Sequence, residues 1–399
     1  MTEVKKAASA TSPGTKVIDH SFASLDMMRG LSAFAVLVSH AASLSGYPEH
    51  IYGLYYGAFA VDVFMLISGF LMMWHFYERK SIGESWSNPK TTLKFYTRRF
   101  FRIAPLYYFL LTVTYLFYPR IAYFWHYNHA MLHESDIYDP ANPTWGHLSL
   151  AHILAHYSFV FGFIPSYGAS DALPDWSIGL EMQFYLFFPF LALLLDRTKF
   201  IGGVVLLVGL NLLALHFISV GEQAVPRALG NFPYPSFLPL RLCNFLAGML
   251  LAAGLFTKDN LRKRTFLLLL GLVVAGIYMK KFLIVCFIFT AYEIAARNET
   301  GIPLVNHFVK GISAFVRLRL FKFMGEASYG VYLIHMSLIS LVLYLLLHTS
   351  PFVTYAPVVR FLICLGVIVP IVYALAFLTF KLIEAPGITL GRKIVKSIR

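Results

Sequence analysis

Charge is what this chain has least of. Asp, Glu, Lys and Arg make up 13% of its 399 residues, about half the share found in ordinary globular proteins. With 58% hydrophobic residues and a mean hydropathy of +0.66, that scarcity excludes a soluble globular chain. Cysteine is scarce as well. Cys243, Cys286 and Cys364 all fall in apolar stretches without metal-ligand spacing, so they read as small buried hydrophobes. The sequence has no G-x-S-x-G elbow, no P-loop and no HExxH, which removes three common signatures of hydrolytic chemistry. His152 and His156 stand four apart, but no glutamate follows His152, and no metal is expected. The histidines from His126 to His156, with Glu134, Asp136 and Asp139 among them, read instead as a wet outer face where a polar acceptor docks. There is no internal repeat and no separate soluble domain.

What the chain has is apolar runs of membrane-spanning length. They lie near 27–45, 53–76, 103–119, 176–195, 200–219, 237–256, 265–279, 282–296, 326–347 and 360–382. The expected fold is therefore an all-α polytopic membrane bundle of about ten transmembrane helices. A further apolar segment at 150–165 is expected to be interfacial or re-entrant. Residues 1–24 read as a polar, disordered tail without a cleavable signal peptide. Residues 25–386 form the transmembrane domain, and 387–399 a basic tail. The net charge of +13 invites a nucleic-acid partner, but the basic residues gather in loops between the apolar runs. With the N-terminus inside, only Arg120, Arg227, Arg241, Lys280, Lys281 and Arg360 fall away from the cytoplasmic side. That asymmetry points to a lipid bilayer as partner, not nucleic acid, with both termini cytoplasmic.

Leu25 to His40, LDMMRGLSAFAVLVSH, organises the rest. On a helix Arg29 and His40 lie roughly 16 Å apart, about half the hydrocarbon core. Ionisable groups at such depth are costly and mark candidate functional sites. Taken singly, each has a plainer reading as a topology anchor or a polar helix contact. In VDVFMLISGF, Asp62 is read either as a partner for an arginine or as a support for the His40 imidazole. In RRFFRIAPLYY, Arg98, Arg99 and Arg102 sit on adjacent turns, a pattern that also makes a phosphate clamp. Glu181, in DWSIGLEMQFYLFFP, is read as an acid, base or acceptor ligand, or as an ion pair with Arg241. Ser328, Tyr332 and His335 share one face of a late helix, where His335 is read as a pocket residue or a polar helix contact. Glu384 is read as structural.

In order, LDxxRGxxA with Arg-x10-His, VDVFxxxSGF at 61–70, RRxxRxxPxYY at 98–108 and WSxxxExxFYLxFP at 176–189 carry a resemblance. RxxxFLAG at 241–248, SYGVYLIH at 328–335 and Glu-x-Pro at 384–386 continue it. Together they span about residues 25–386, and the chain resembles the acyltransferase-3 family of integral membrane acyltransferases. It departs from many relatives in having Ile334 before His335 and Ala385 between the last Glu and Pro. The resemblance implies transfer of an acyl group, commonly acetyl from cytoplasmic acetyl-CoA, to a hydroxyl of a glycan, in a bacterial inner membrane. It implies His40 and Arg29 as the catalytic pair and Arg99 and Arg102 as donor-binding. Arg98 and Arg29 are expected to join the donor clamp, and Asp62 and Glu181 to assist His40. Glu181, Trp176, Tyr185, Arg241, Tyr332 and His335 are expected on the acceptor side. The alternatives are a secondary transporter using His40 and a carboxylate as a proton relay, and a structural scaffold. Dependence on acyl-CoA separates them.

Overall fold

The computed structural model describes residues 22–48, 56–133, 149–168, 173–221, 224–297, 303–349 and 351–398. Glu134, Asp136 and Asp139, with most of the N-terminal tail, lie outside the described residues. The fold is all-α, apart from a two-stranded parallel ladder, β1 (Ser219–Val220) and β2 (Asn231–Phe232).

The helices, in chain order, begin with α1 (Ala23–Leu44), α2 (Gly57–Ser81), α3 (Pro89–Leu116), α4 (Tyr118–His133) and α5 (Leu150–Tyr157). Next come α6 (Trp176–Arg197), α7 (Ile201–Phe217), α8 (Leu242–Phe256), α9 (Leu261–Tyr278) and α10 (Lys280–Arg297). The chain finishes with α11 (Pro303–Val316), α12 (Arg319–Thr349), α13 (Pro357–Thr379), a π-turn (Phe380–Glu384) and α14 (Ala385–Ser397).

By length and composition, α1, α2, α6, α12 and the continuous α13–α14 rod can cross a membrane, five helices among the described residues. The count becomes six if α3 and α4, bent by 76° at their junction, form one broken span. Helices α7 and α8 are apolar but shorter. The segment at 150–165 does not form a spanning helix, since α5 has eight residues and is about 12 Å long.

Three boundaries differ from the sequence reading. The basic segment before residue 103 is not a loop: α3 starts at Pro89, with Pro at its first turn and the Asn88 side chain accepting from the Lys90 amide. Those are ordinary start signals for a helix. The stretch holding His126 and His129 is helix α4. The basic C-terminal tail is helical to Ser397.

Two large apolar clusters, with a small third one around Ile218, Phe232 and Leu240, make the core. One gathers side chains of α2, α3, α6, α8, α9 and α10; the other gathers α1, α12 and α13. Small residues set how closely the helices approach. A Cβ on Gly69 would stand 2.1 Å from the Phe245 carbonyl oxygen, and one on Gly248 would stand 2.1 Å from that of Leu66. Helices α2 and α8 therefore touch backbone to backbone, as small-residue packing in membranes permits. The same device joins α1 to α12, where a Gly30 Cβ would meet Met324 at 2.5 Å and a Gly325 Cβ would meet Asp26 at 2.6 Å. His40 and His335 lie ten residues beyond these glycines and also touch. The two helices consequently run parallel and in register.

Candidate active site

A cavity opens between the two larger apolar clusters of the core. Arg29 of α1 and Ser328, Tyr329 and Tyr332 of α12 line one side. Ser68 of α2, Arg99 and Arg102 of α3, Ser177, Glu181 and Tyr185 of α6, and Phe245 of α8 line the other. Helix geometry gathers the arginines: Arg99 and Arg102 are three apart on α3 and so share a face, while Arg29 lies near the start of α1.

The three cations are not equivalent. The Arg102 Nη1 lies 3.1 Å from the Glu384 Oε2, whose side chain is fully buried. Glu384 reaches this position from the π-turn between α13 and α14. A π-turn adds one residue to the helical turn and re-aims the side chains beyond it. Arg99 has no such carboxylate. Its guanidinium lies over the Tyr185 ring, 5.7 Å from the centroid, and its buried Nε has no hydrogen-bond partner among the described residues. Glu181 accepts hydrogen bonds from the Ser68 hydroxyl at 2.7 Å and from the Tyr185 hydroxyl. The cavity thus offers guanidinium donors suited to an anion, with one carboxylate already occupied by neutral hydroxyls.

Beyond the cavity's Tyr332 wall lies the histidine pair. The Tyr332 hydroxyl accepts from Ser177 at 2.8 Å, and its ring centroid is 5.9 Å from that of His335. His335, one helical turn further along α12, is fully buried, and its Nε2 lies 2.8 Å from His40 Nδ1. His40 itself is partly exposed and is not among the cavity-lining residues. The arginines and the His40 imidazole therefore lie on opposite sides of Tyr332.

Several residues expected at the site are employed elsewhere. Asp62 does not support His40; it accepts from Asn244 at 2.7 Å and pairs with Arg241 Nε at 3.3 Å. Arg241 is not among the residues that line the cavity. An uncompensated buried carboxylate is costly. Arg241→Met is expected to destabilise the protein by about 3 kcal/mol, and adding Asp62→Asn should recover part of that loss in thermal unfolding of detergent-solubilised protein. Arg98 does not line the cavity, and its buried Nη2 has no hydrogen-bond partner among the described residues. Trp176 stacks on Tyr234, ring centroids 5.9 Å apart, and is not a lining residue. His335 binds His40 rather than facing an acceptor.

Nor do His152 and His156 form a wet face. Both are buried, their rings 4.5 Å apart, and His156 Nδ1 lies 2.9 Å from Asp175, to which Tyr107 also donates at 2.8 Å. The sequence reading missed this Tyr107–Asp175–His156 group; Asp175 just before α6 and the four-residue histidine spacing were its visible signals. Among the described residues no group of His, Cys, Asp and Glu is arranged to hold a metal ion.

An apolar helical bundle with a guanidinium-lined cavity defines a membrane protein whose site is suited to an anionic ligand. The comparisons give the particular class. An acyltransferase-domain family model, that of acyltransferase-3, matches residues 22–377, and the chain belongs to that family of multi-pass membrane proteins. It is 25% identical over 333 residues to the acyltransferase MdmB of Streptomyces mycarofaciens, covering 79% of this chain and 78% of that one. A Komagataeibacter xylinus protein provisionally named membrane-bound transacylase BcsY is 30% identical over 178 residues, 44% of this chain and 38% of that one. No solved structure matches the chain significantly.

Proposed function

We propose that this acyltransferase moves an acetyl group from cytoplasmic acetyl-CoA to a hydroxyl of a carbohydrate acceptor, a cell-surface or exported glycan, in a bacterial inner membrane. The arginine cavity carries this reading: Arg29, Arg99 and Arg102 converge on a buried space, and Arg99 Nε lacks a protein acceptor among the described residues. The basic residues' one-sided distribution supports about ten spans with both termini in the cytoplasm, which puts Arg29 nearer the donor's compartment. The nucleotide phosphates bind the guanidinium groups. The pantetheine arm then extends past Tyr332 over the roughly 16 Å that separates Arg29 from His40 along α1.

At His40 the neutral imidazole takes the proton of the acceptor hydroxyl as its oxygen attacks the thioester carbonyl. The tetrahedral intermediate collapses, the carbon–sulfur bond breaks, and the proton passes to the departing thiolate. The products are an ester and free CoA thiol. An acetyl-imidazole relay on His40 is the second reading, favoured by His40 lying outside the cavity, where donor and acceptor would be handled in turn.

The experiment supplies acetyl-labelled acetyl-CoA to membranes containing the chain and follows label into glycan, lipid-linked saccharide and free acetate. Chain-dependent label in a glycan fraction supports the reading, and its absence with all three fractions present overturns it. Arg99→Ala is expected to raise the apparent KM for acetyl-CoA by about tenfold or more, as loss of a charge-assisted contact requires. An unchanged KM removes Arg99 from the donor site.

A further inference from the structure

His335 makes more contacts than a spare polar residue in a membrane helix needs. Its Nδ1 lies 2.6 Å from the Tyr332 carbonyl oxygen and 3.2 Å from that of Val331. Both partners are acceptors, so Nδ1 must carry the proton. In a neutral ring, Nε2 then holds a lone pair. That lone pair faces His40 Nδ1 at 2.8 Å, so His40 Nδ1 is the donor and its own proton sits there. The ring centroids are 5.0 Å apart and the planes differ by 19°. Such a separation fits one hydrogen bond with a ring radius at each end, and the bond runs edge to edge. The proton positions are dictated by this network of acceptors.

We propose that His335 is the positioning residue of the transfer reaction. It holds His40 as the Nδ1–H tautomer and leaves His40 Nε2 as the base that receives the acceptor's proton. This rests on the acyltransfer reading above. The fold supports it independently through register. Gly30 and Gly325 bring α1 and α12 into backbone contact, and the same ten-residue interval on both parallel helices carries the imidazoles to one level. When Nε2 of His40 takes the hydroxyl proton, the ring becomes cationic and its Nδ1–H bond to His335 becomes charge-assisted. The proton then returns from Nε2 to the leaving thiolate, and both rings end neutral. The arrangement performs the orienting task that a carboxylate performs in a hydrolase triad, with a neutral acceptor in its place.

Two variants separate positioning from packing. His335→Leu fills the site but accepts no hydrogen bond, while His335→Gln offers an amide oxygen to His40 and an amide NH2 to the Tyr332 carbonyl. With acetyl-CoA as donor and isolated membrane glycan as acceptor, His335→Leu is expected to lower kcat for CoA-thiol release by about 100-fold. The KM for acetyl-CoA should stay within twofold, and His335→Gln should recover most of kcat. Nitrogen-15 NMR of histidine-labelled protein in nanodiscs, assigned by the signal lost in His40→Ala, reads the tautomer without turnover. Wild type should show His40 protonated at Nδ1; His335→Leu should move it toward Nε2–H, the tautomer a free histidine favours. Full kcat in His335→Leu overturns the proposal, as does an equal loss in both variants with the His40 tautomer unchanged. If wild type itself releases no thiol, the acyltransfer reading fails, and the NMR comparison still decides whether His335 sets the His40 tautomer.

Discussion

His40→Ala is expected to reduce transfer from acetyl-CoA by about 10³-fold while the protein accumulates in membranes at its normal level. The small side chain leaves the helix intact, because α1 is held by Gly30 against Met324 and by the apolar contacts of Ala33, Leu37 and Ala41 with α12 and α13. The effect should fall on kcat with little change in KM for acetyl-CoA, since Arg29 lies about three turns away along the helix and Arg99 and Arg102 stand on α3. Label transfer in membranes, normalised to immunodetected protein, reads the result. Well-expressed His40→Ala protein that transfers normally would remove His40 from the chemistry.

Gly248→Leu is expected to have the largest effect on folding. The Cβ position already lies 2.1 Å from the Leu66 carbonyl oxygen and 2.7 Å from the Phe70 amide nitrogen. Both are main-chain atoms of α2, so no side-chain rotation relieves the clash. Helices α2 and α8 must separate, and the cost exceeds the roughly 1–3 kcal/mol of ordinary overpacking. Separating them also displaces Phe245 and Ser68, which both line the cavity. Size-exclusion chromatography of solubilised protein should show loss of the monodisperse peak. Gly209→Leu, whose Cβ meets nothing within 4 Å, is the matched control and should retain it.

The sequence makes the local chemistry visible better than the long-range pairings. Arg29 and His40 are placed by one helix and its rise per residue. The motif around Arg99 and Arg102 is likewise legible, because three-residue spacing puts both on one face. Arg98 groups with them in the sequence because it stands one turn from Arg102, yet it is about 100° from Arg99 around the axis and does not line the cavity. Asp62 is visible as a carboxylate in an apolar helix. Its partners Arg241 and Asn244 lie in α8 and just before it, and no periodicity relates them to α2. His335 reads as a polar helix contact, and His40 is that contact. The glycines at 69 and 248 stand in recognisable motifs, but which backbone each one admits depends on packing across the bundle. The start of α3 is written locally in Asn88-Pro89, and the density of basic residues after it obscures the signal.

The matched intervals from Gly30 to His40 and from Gly325 to His335 work as two rulers laid side by side. Deleting one residue within either interval alone would swing that imidazole about 100° around its axis and break the dyad. Deleting one residue from both would shorten both rulers equally by about 1.5 Å, but the facing rings would swing about 100° to opposite sides of the contact and the dyad would break as well. Depth and pairing are therefore unequal in their freedom to vary. The rulers keep the pair only when both change by whole turns, about seven residues at a time, so any drift in how deep the imidazoles sit requires large paired changes on two helices far apart in the chain.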